Sequence, residues 1–284
     1  MDIIALDVGG SSIKHGIVTT HTPLSVVVAT TPINSTGSLD EIISTIASII
    51  ETYWQTHPAA KLIAFGFPGP FDYVNGISYI QGLAKYEALY GKNIHDLLKQ
   101  RLSQVDVSIR FRNDAEAAIM GEAIYGTGKG YTRTIGITLG TGIGSAFVVN
   151  HRPVVEGAGI PAEGWLFPEL YNEQQADAVF STRGLLKRFA KDGIPANSVV
   201  EVDLNTDKVK KALEHFGEDL GQFMSRYTKP FEADSVIVLG GIAHLFTYFA
   251  KPFQHHIYPT VLLKGNLGAK SALLGSASMF NMTE

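Results

Sequence analysis

Three segments set small residues directly after an apolar run: Asp7-Val8-Gly9-Gly10-Ser11-Ser12, Leu139-Gly140-Thr141-Gly142-Ile143-Gly144 and Val238-Leu239-Gly240-Gly241. A strand that ends in small residues leaves backbone N–H groups able to face an anion, and side chains would block that approach. The chain carries 29 glycines in 284 residues, a surplus that these turns help to explain. If two halves of the chain face each other, the turns at 9–12 and 140–144 point into one cleft and grip one polyphosphate from opposite sides. Gly240-Gly241, at a strand end before a helix, suits a flat base or another phosphate. Taken singly, each turn also reads as a tight hairpin. None is a Walker A loop, because no Gly-Lys-Ser/Thr follows, and none is a Gly-x-Gly-x-x-Gly dinucleotide turn.

Two carboxylates at strand ends are candidates for chemistry. Asp7 closes the first strand, where a carboxylate next to bound phosphates is a natural magnesium ligand, direct or through water. A turn-forming Asp before Gly is the plainer reading. Asn113-Asp114 ends a central strand and opens a helix. That pattern is a helix N-cap, or it supplies a base, since phosphoryl transfer to an alcohol uses a carboxylate to accept the hydroxyl proton. Other chemistry finds little support. The nine histidines show no metal-ligand spacing; His255 and His256 are adjacent and do not share a face. His151 lies in a β-turn pattern. Ser11 and Ser12 have no His-Asp partner by motif.

These residues need strands to carry them. Ile3 to Leu6, Ile13 to Val18 and Leu24 to Thr30 read as an antiparallel meander. Ser38-Leu39-Asp40-Glu41 is a capping box before a helix from Ile42 to about Thr56. Leu62 to Phe67 is a buried-type strand stopped by Pro68-Gly69-Pro70. An aromatic, loop-rich stretch (71–92) follows, then a helix over Ile94 to Leu102, a strand over Val107 to Phe111 and a helix from Asn113-Asp114 to about Tyr125. The second half repeats the plan: Thr134 to Leu139, a glycine turn, Ser145 to Val149, a turn at Asn150-His151, and Arg152 to Val155. Residues 173–230 read as mostly helical. Ser235 to Leu239 and Thr260 to Leu263 are strands, and Lys270 to about Met279 is a closing helix rich in small residues. The two halves read as an internal duplication of architecture.

Composition bounds the rest. Apolar residues make up 45% and charged residues 18%, which is ordinary for a globular chain and excludes disorder. A net charge of −4 argues against a wholesale polyanion binder. No apolar run approaches the roughly 18 residues of a membrane helix, and Met1-Asp2-Ile3-Ile4 has no basic n-region of a signal peptide. Cysteine is absent, which excludes disulfides, thiolate catalysis and any Cys-ligated zinc or iron–sulfur site. The expectation is a cytoplasmic two-domain protein with no nucleic-acid or membrane partner.

Together with Gly66-Phe67-Pro68-Gly69-Pro70 and Asn113-Asp114-Ala115-Glu116-Ala117-Ala118, the three glycine segments resemble the ROK family of the actin-like ATPase superfamily, in the family's order and over nearly the whole chain. The resemblance implies an α/β fold of two ribonuclease-H-like lobes around a central cleft. The first lobe would hold residues 1–115 plus 270–284 and the second residues 116–269, with the chain crossing near 113–127 and 265–270. It implies transfer of a phosphoryl group from ATP, with magnesium, to a sugar hydroxyl, commonly the 6-hydroxyl of a hexose. Asp7, Gly9, Gly10 and Ser11 match the first phosphate motif, with Asp7 on magnesium through water. Gly140, Thr141, Gly142 and Gly144 match the second, and Gly240 and Gly241 the adenosine motif. Asp114 matches the catalytic base and Asn113 a sugar-binding Asn. Gly66 and Gly69 fall in the segment lining the sugar pocket, and Glu163, in Gly157-Ala158-Gly159-Ile160-Pro161-Ala162-Glu163, is the candidate sugar-binding Glu. Family members are often dimers, so a homodimer is expected by analogy.

The departures are informative. Zinc-bearing members carry a His and a three-Cys cluster after that Glu, and a second sugar-binding Glu beyond. Here Gly164-Trp165-Leu166-Phe167-Pro168 follows, so zinc is not expected and the usual His contact is lost. Glu169 or Glu173 is left as the replacement for the second Glu. Gln81-Gly82-Leu83 stands where the family has Asn-Leu. Trp165 reads either as a stacking wall for a sugar face or as plain packing. The phosphate apparatus is kept while glucose contacts change, which leaves an amino sugar or a glycoside open as acceptor. Polyphosphate-using glucokinases share the Leu-Gly-Thr-Gly-Ile-Gly-Ser run but keep a Glu-x-Gly-His that is missing here. A basic trough for that donor would fall to Lys187-Arg188 or Lys208 to Lys211, which also read as solvated helix faces. The remaining alternative is a sugar-sensing protein that kept the fold without the reaction. With the first phosphate strand starting at residue 2, the helix-turn-helix of the family's repressors is not expected.

Overall fold

The structure, a computed structural model, describes residues 1–19, 25–104 and 106–280. The chain divides into two compact units, residues 1–121 with 267–284 and residues 122–266.

The first unit is built on a hairpin extended by two parallel strands. Strand β1 (Asp2–Val8) runs antiparallel to β2 (Ser12–Thr19), with Val8 opposite Ile13 across the first glycine turn. The run expected as one strand from Leu24 to Thr30 is instead two, β3 (Ser25–Val26) and β4 (Ala29–Pro32); Leu24 lies outside the described residues. Both pair with β2 in one register, Val18 with Val26 and His15 with Ala29. The ladder lapses beside Gly16. There the Val27 carbonyl oxygen lies 2.5 Å from where a Cβ would stand, a close backbone approach that only glycine admits.

Helix α1 (Leu39–Thr56) starts one turn earlier than its apolar run, because the Ser38 hydroxyl accepts from the Glu41 N–H at 3.2 Å. Its Ile42, Ile43, Ile46, Ile49 and Ile50 sit at helical spacing and are buried. They share a core with Ile4, Leu6 and Val8 of β1 and with Ile63, Phe65 and Phe67 of β5 (Leu62–Phe67). Each such isoleucine contributes about 1.5–3 kcal/mol when fully buried. After a two-strand ribbon, β6 (Phe71–Asp72) with β7 (Ile77–Ser78), come α2 (Ile94–Arg101), β8 (Ser108–Asn113) and α3 (Asp114–Tyr125). The sheet order is β3-β2-β1-β5-β8, with β1, β5 and β8 parallel and β4 also on β2.

The second unit repeats that order. β9 (Arg133–Leu139) and β10 (Ile143–Val149) form the hairpin around the second glycine turn, and β11 (Arg152–Val154) adds to β10. Asn150 and His151 turn the chain with φ of 50° and 62°, the pair of positive angles that a tight hairpin turn requires. A ribbon of β12 (Leu170–Tyr171) and β13 (Gln174–Gln175) precedes α4 (Ala176–Phe180), α5 (Thr182–Lys191) and α6 (Asp207–Phe231). The stretch expected as mostly helical is thus interrupted over residues 192–206. β14 (Ser235–Leu239), α7 (Phe246–Ile257) and β15 (Val261–Lys264) complete the sheet β11-β10-β9-β14-β15, in which β9, β14 and β15 are parallel. Gly217 and Gly221 of α6 meet the backbone of α7 at Phe249 and Phe253, which lets the two helices pack closely.

The closing helix α8 (Lys270–Ala277) belongs to the first unit and packs on β1 and β5. Its small residues have a reason. Gly275 meets the Ala117 carbonyl of α3, and Gly121 of α3 meets Ser271 of α8. A side chain at either glycine would push the helices apart. Arg112 fixes the same contact by donating to the Gly275 carbonyl at 2.7 Å and to the Ser278 hydroxyl at 3.1 Å.

Candidate functional site

In the first unit the predicted residues converge on the C-terminal ends of three parallel strands. Asp7 of β1 pairs in register with Gly66 of β5, and Phe67 pairs with Asn113 of β8. Ligand sites in open α/β sheets form at these strand ends, where hairpin and parallel strands diverge. The turn after β1 is closed by Gly9, whose N–H donates to the Ser12 carbonyl at 3.0 Å. A Cβ on Gly9 would stand 2.8 Å from that same oxygen. Ser11 is tied through its carbonyl to the Ile33 N–H at 3.1 Å, whereas Gly10 makes no hydrogen bond among the described residues.

Asp7 is largely buried and pairs with Lys14 of β2 at 3.3 Å. Burial pushes its carboxyl above the ordinary range, Lys14 opposes this, and the neighbouring Asp114 adds to the rise. Asp114 is likewise pushed up by burial, against the pull of the Ala115 N–H at 2.9 Å and of Lys85. Burial is the larger cause for both carboxyls, and each has a lysine, Lys14 or Lys85, working against it. Asn113, not Asp114, is the helix cap: its Oδ1 accepts from the Ala115 N–H at 3.0 Å and the Glu116 N–H at 3.1 Å. Its Nδ2 donates to the Tyr73 hydroxyl at 3.0 Å, and Tyr73 donates onward to the Phe67 carbonyl at 3.2 Å. Gly69 completes the group, because a Cβ there would meet the Tyr73 hydroxyl at 3.0 Å and Asn113 Nδ2 at 3.9 Å.

In the second unit the second and third glycine segments meet. Leu239 pairs in parallel with Thr138, so Gly240 follows directly beside Leu139 and Gly140. Gly240 has φ +90° and packs on the Leu139 backbone, leaving no room for a Cβ, while Gly140 and Gly241 face open space. Thr141 makes no hydrogen bond among the described residues. Gly144 donates to the Thr138 hydroxyl at 3.2 Å. Asp177 of α4 braces the turn by accepting from the Ile143 N–H at 3.0 Å, lies 2.7 Å from where a Gly142 Cβ would stand, and pairs with Arg183 at 2.8 Å. The Thr182 N–H at the start of α5 donates to the Gly140 carbonyl at 2.7 Å.

Glu163 is exposed, with φ +56°, on a short turn held to β10 by Ser145, whose hydroxyl donates to the Gly164 carbonyl at 2.7 Å. Trp165 is 43% exposed and tilts against Phe167, 5.7 Å away, so it is not a core residue. Glu169 accepts from the Tyr227 hydroxyl at 2.8 Å, while Glu173 sits in the β12–β13 turn with φ +64°. Among the described residues no three His, Cys, Asp or Glu side chains gather for a metal, and no helix is long and apolar enough to cross a membrane.

Several residues touching these groups escape sequence reasoning. Lys14, Lys85, Asp177 and Arg183 belong to no motif. Tyr73 and Tyr86 stand out only as part of an aromatic loop, and only the fold carries them to Asn113 and Gly9.

Comparison with known proteins gives a consistent picture. The family model described as ROK family matches residues 3–281. A glucokinase of Thermotoga maritima is 29% identical over 164 residues, covering 57% of this chain and 49% of that protein; the chain thus matches about half the length of that relative. Among solved structures, the ROK hexokinase of Thermus thermophilus aligns with a TM-score of 0.80 at 19% identity, over 98% of this chain and 97% of the other. A ROK family glucokinase of Streptomyces griseus, solved with glucose and AMPPNP, aligns at 0.73 and 19% identity over 98% and 99%. These structures share the fold of two α/β sheet units.

Proposed function

The chain belongs to the ROK family, and on that premise we propose that it transfers the γ-phosphoryl group of ATP to a sugar hydroxyl, with Asp114 as the general base. The observation that carries this reading is the Asp114 carboxylate at the end of β8. It is buried, raised in pKa, and shares one set of strand ends with Asp7 and the first glycine turn. A base poised above the ordinary carboxylate range takes a hydroxyl proton more readily than an exposed aspartate.

The chain's own groups supply the remaining parts. Gly10 and Thr141 offer unsatisfied amides to phosphate oxygens, and Gly240 and Gly241 form a surface without side chains that suits the adenosine. Asn113, its ring-side amide already directed by Tyr73, orients a sugar hydroxyl beside the base. Glu163 contributes a further acceptor for the sugar, and Trp165 an exposed apolar face of the kind that stacks on sugars. Asp7 would hold magnesium through water, with the second carboxyl of Asp114 neighbouring it. When bound, the ion neutralises charge on the phosphates. The 6-hydroxyl of a hexose or hexose derivative is the proposed acceptor position. The glucokinase relative and the glucose-bound neighbour support this class of acceptor.

The reading is tested by following ADP release with magnesium–ATP across hexoses, amino sugars and β-glucosides, with Asp114→Asn as control. Release that depends on one sugar, and drops about 10²–10⁴-fold in the variant, is the expected result. Full turnover in the variant removes Asp114 as base. Sugar-dependent phosphorylation only with polyphosphate would transfer the reading to that donor. Sugar binding without phosphorylation from either donor would make the chain a sensor that kept the kinase fold.

A further inference from the structure

The loop between β7 and α2 is clamped onto the first glycine turn, and it presents a cation there. Tyr86 is fully buried, and its hydroxyl donates to the Gly9 carbonyl. Its N–H donates to the Ser35 carbonyl, and the Ala84 N–H donates to Glu87 Oε1 at 3.1 Å. Between these anchors, Ala84 and Tyr86 are both left-handed, with φ of 52° and 55°. Non-glycine residues in that region are strained and persist where the surroundings hold them. The residue so displayed is Lys85. Its Cδ lies 3.8 Å from where a Cβ on Gly10 would stand, so its stem runs beside the turn. Among the described residues Lys85 makes no ion pair, whereas Lys14 is already paired with Asp7. The charge of Lys85 reaches Asp114 and counters the burial of that carboxyl.

We infer that Lys85 is a further catalytic residue, a cation that contacts the phosphoryl group in flight between the first glycine turn and Asp114. This rests on the proposed kinase reading. In the step concerned, the sugar oxygen–phosphorus bond forms as the bond from the γ-phosphorus to the β–γ bridging oxygen breaks. The hydroxyl proton passes to the Asp114 carboxylate, and the electron pair of the broken bond leaves with ADP. Lys85 makes and breaks no bond. It stabilises the charge on the transferring oxygens, a contribution worth roughly 10²–10³-fold for one well-placed donor. A cation beside the base meets only the phosphoryl group being transferred, so ligands that carry a γ-phosphate feel it and ADP does not.

The test is calorimetric titration of the wild-type chain and of Lys85→Met and Lys85→Arg with magnesium–AMP-PNP and with magnesium–ADP, alongside turnover. Lys85→Met is expected to bind AMP-PNP about tenfold more weakly, as for loss of one charge-assisted hydrogen bond. Its ADP affinity stays unchanged, its turnover falls about 10²–10³-fold, and Lys85→Arg recovers part of both losses. Equal weakening of AMP-PNP and ADP overturns the inference, because it marks a general disturbance of the turn. Wild-type behaviour of Lys85→Met overturns it as well, while leaving the kinase reading standing. A wild-type chain that binds neither nucleotide overturns the kinase reading and this inference with it.

Discussion

Asn113 and Tyr73 are joined by a 3.0 Å hydrogen bond from the side-chain amide to the hydroxyl, while the amide oxygen of Asn113 caps α3 through the Ala115 and Glu116 N–H groups. Every polar atom of the Asn113 side chain thus has a set direction before any ligand arrives. The loop after β5 and the strand end of β8 are locked together through one side chain.

On the proposed kinase reading, removing the hydroxyl should be felt by the sugar before it is felt by the phosphates. Tyr73→Phe frees Nδ2 of Asn113 and also loses the bond to the Phe67 carbonyl. The expected outcome is a several-fold rise in the sugar KM with little change in the KM for ATP. Denaturant unfolding should show a loss of about 1–3 kcal/mol, since two bonds of roughly 0.5–1.5 kcal/mol each are removed. Equal changes in both KM values would point to a general loosening of the unit.

The raised pKa of Asp114 links activity to pH. As the base proposed above, Asp114 would have to be ionised to accept a proton, so kcat/KM should fall on the acid side with an apparent pKa above the ordinary aspartate value of 3.8. Stability follows with the opposite sense. Below 3.8 the group is protonated in both folded and unfolded chains and contributes nothing. As pH rises through the folded value, the folded chain must ionise a buried acid that the unfolded chain ionised earlier, and stability is lost. Asp114→Asn should therefore melt at a higher temperature than wild type at pH 8, with the gain vanishing in acid. A lower melting temperature at pH 8 would falsify this assignment of the strain.

Gly240 and Gly241 are neighbours with different duties. Gly240 has φ +90° and no space for a Cβ beside Leu139, whereas Gly241 faces open space. Gly240→Ala should destabilise the chain by at least ~1–3 kcal/mol from its backbone strain, with the clash adding to this. Gly241→Ala should leave the melting curve unchanged and weaken AMP binding. Thermal melts and AMP titrations on both variants separate the two, and a normal melt for Gly240→Ala would contradict the packing described.

Asp177 is predicted to stiffen the second glycine turn. Its carboxylate takes the Ile143 N–H at 3.0 Å and holds Arg183 at 2.8 Å. Asp177→Ala should speed hydrogen exchange at Ile143 and lower stability by about 1 kcal/mol or more, since the lost bond is charge-assisted. Asp177→Asn keeps an acceptor and should recover most of the exchange protection. Unchanged exchange in the alanine variant would show that the hairpin holds the turn by itself.

Much of the fold was legible along the chain because its signals are local. Apolar runs mark β1, β5, β9 and β14, Ser38 and Glu41 mark the start of α1, and the glycines after β1, β9 and β14 mark where strands stop. The break between β3 and β4 was not legible, since it depends on how closely Val27 approaches Gly16 across the hairpin. The cap on α3 was ambiguous between Asn113 and Asp114 for a similar reason. Both residues can cap, and Tyr73, forty residues away in sequence, holds the Asn113 amide with its oxygen toward the helix.

By itself the sequence determined the repeated strand plan, the family, and the residue types at the three glycine turns, because periodicity and turn chemistry act over a few neighbouring residues. The tertiary structure decided which groups face one another. Parallel pairing of β1, β5 and β8 set Asp7, Gly66 and Asn113 at one edge. The return of α8 onto α3 explains its small residues. Lys85 reaches the first turn only because Tyr86 is buried against Gly9. Such contacts join segments tens of residues apart, and their free energy comes from the burial and hydrogen bonding of the assembled sheet, which no local pattern encodes.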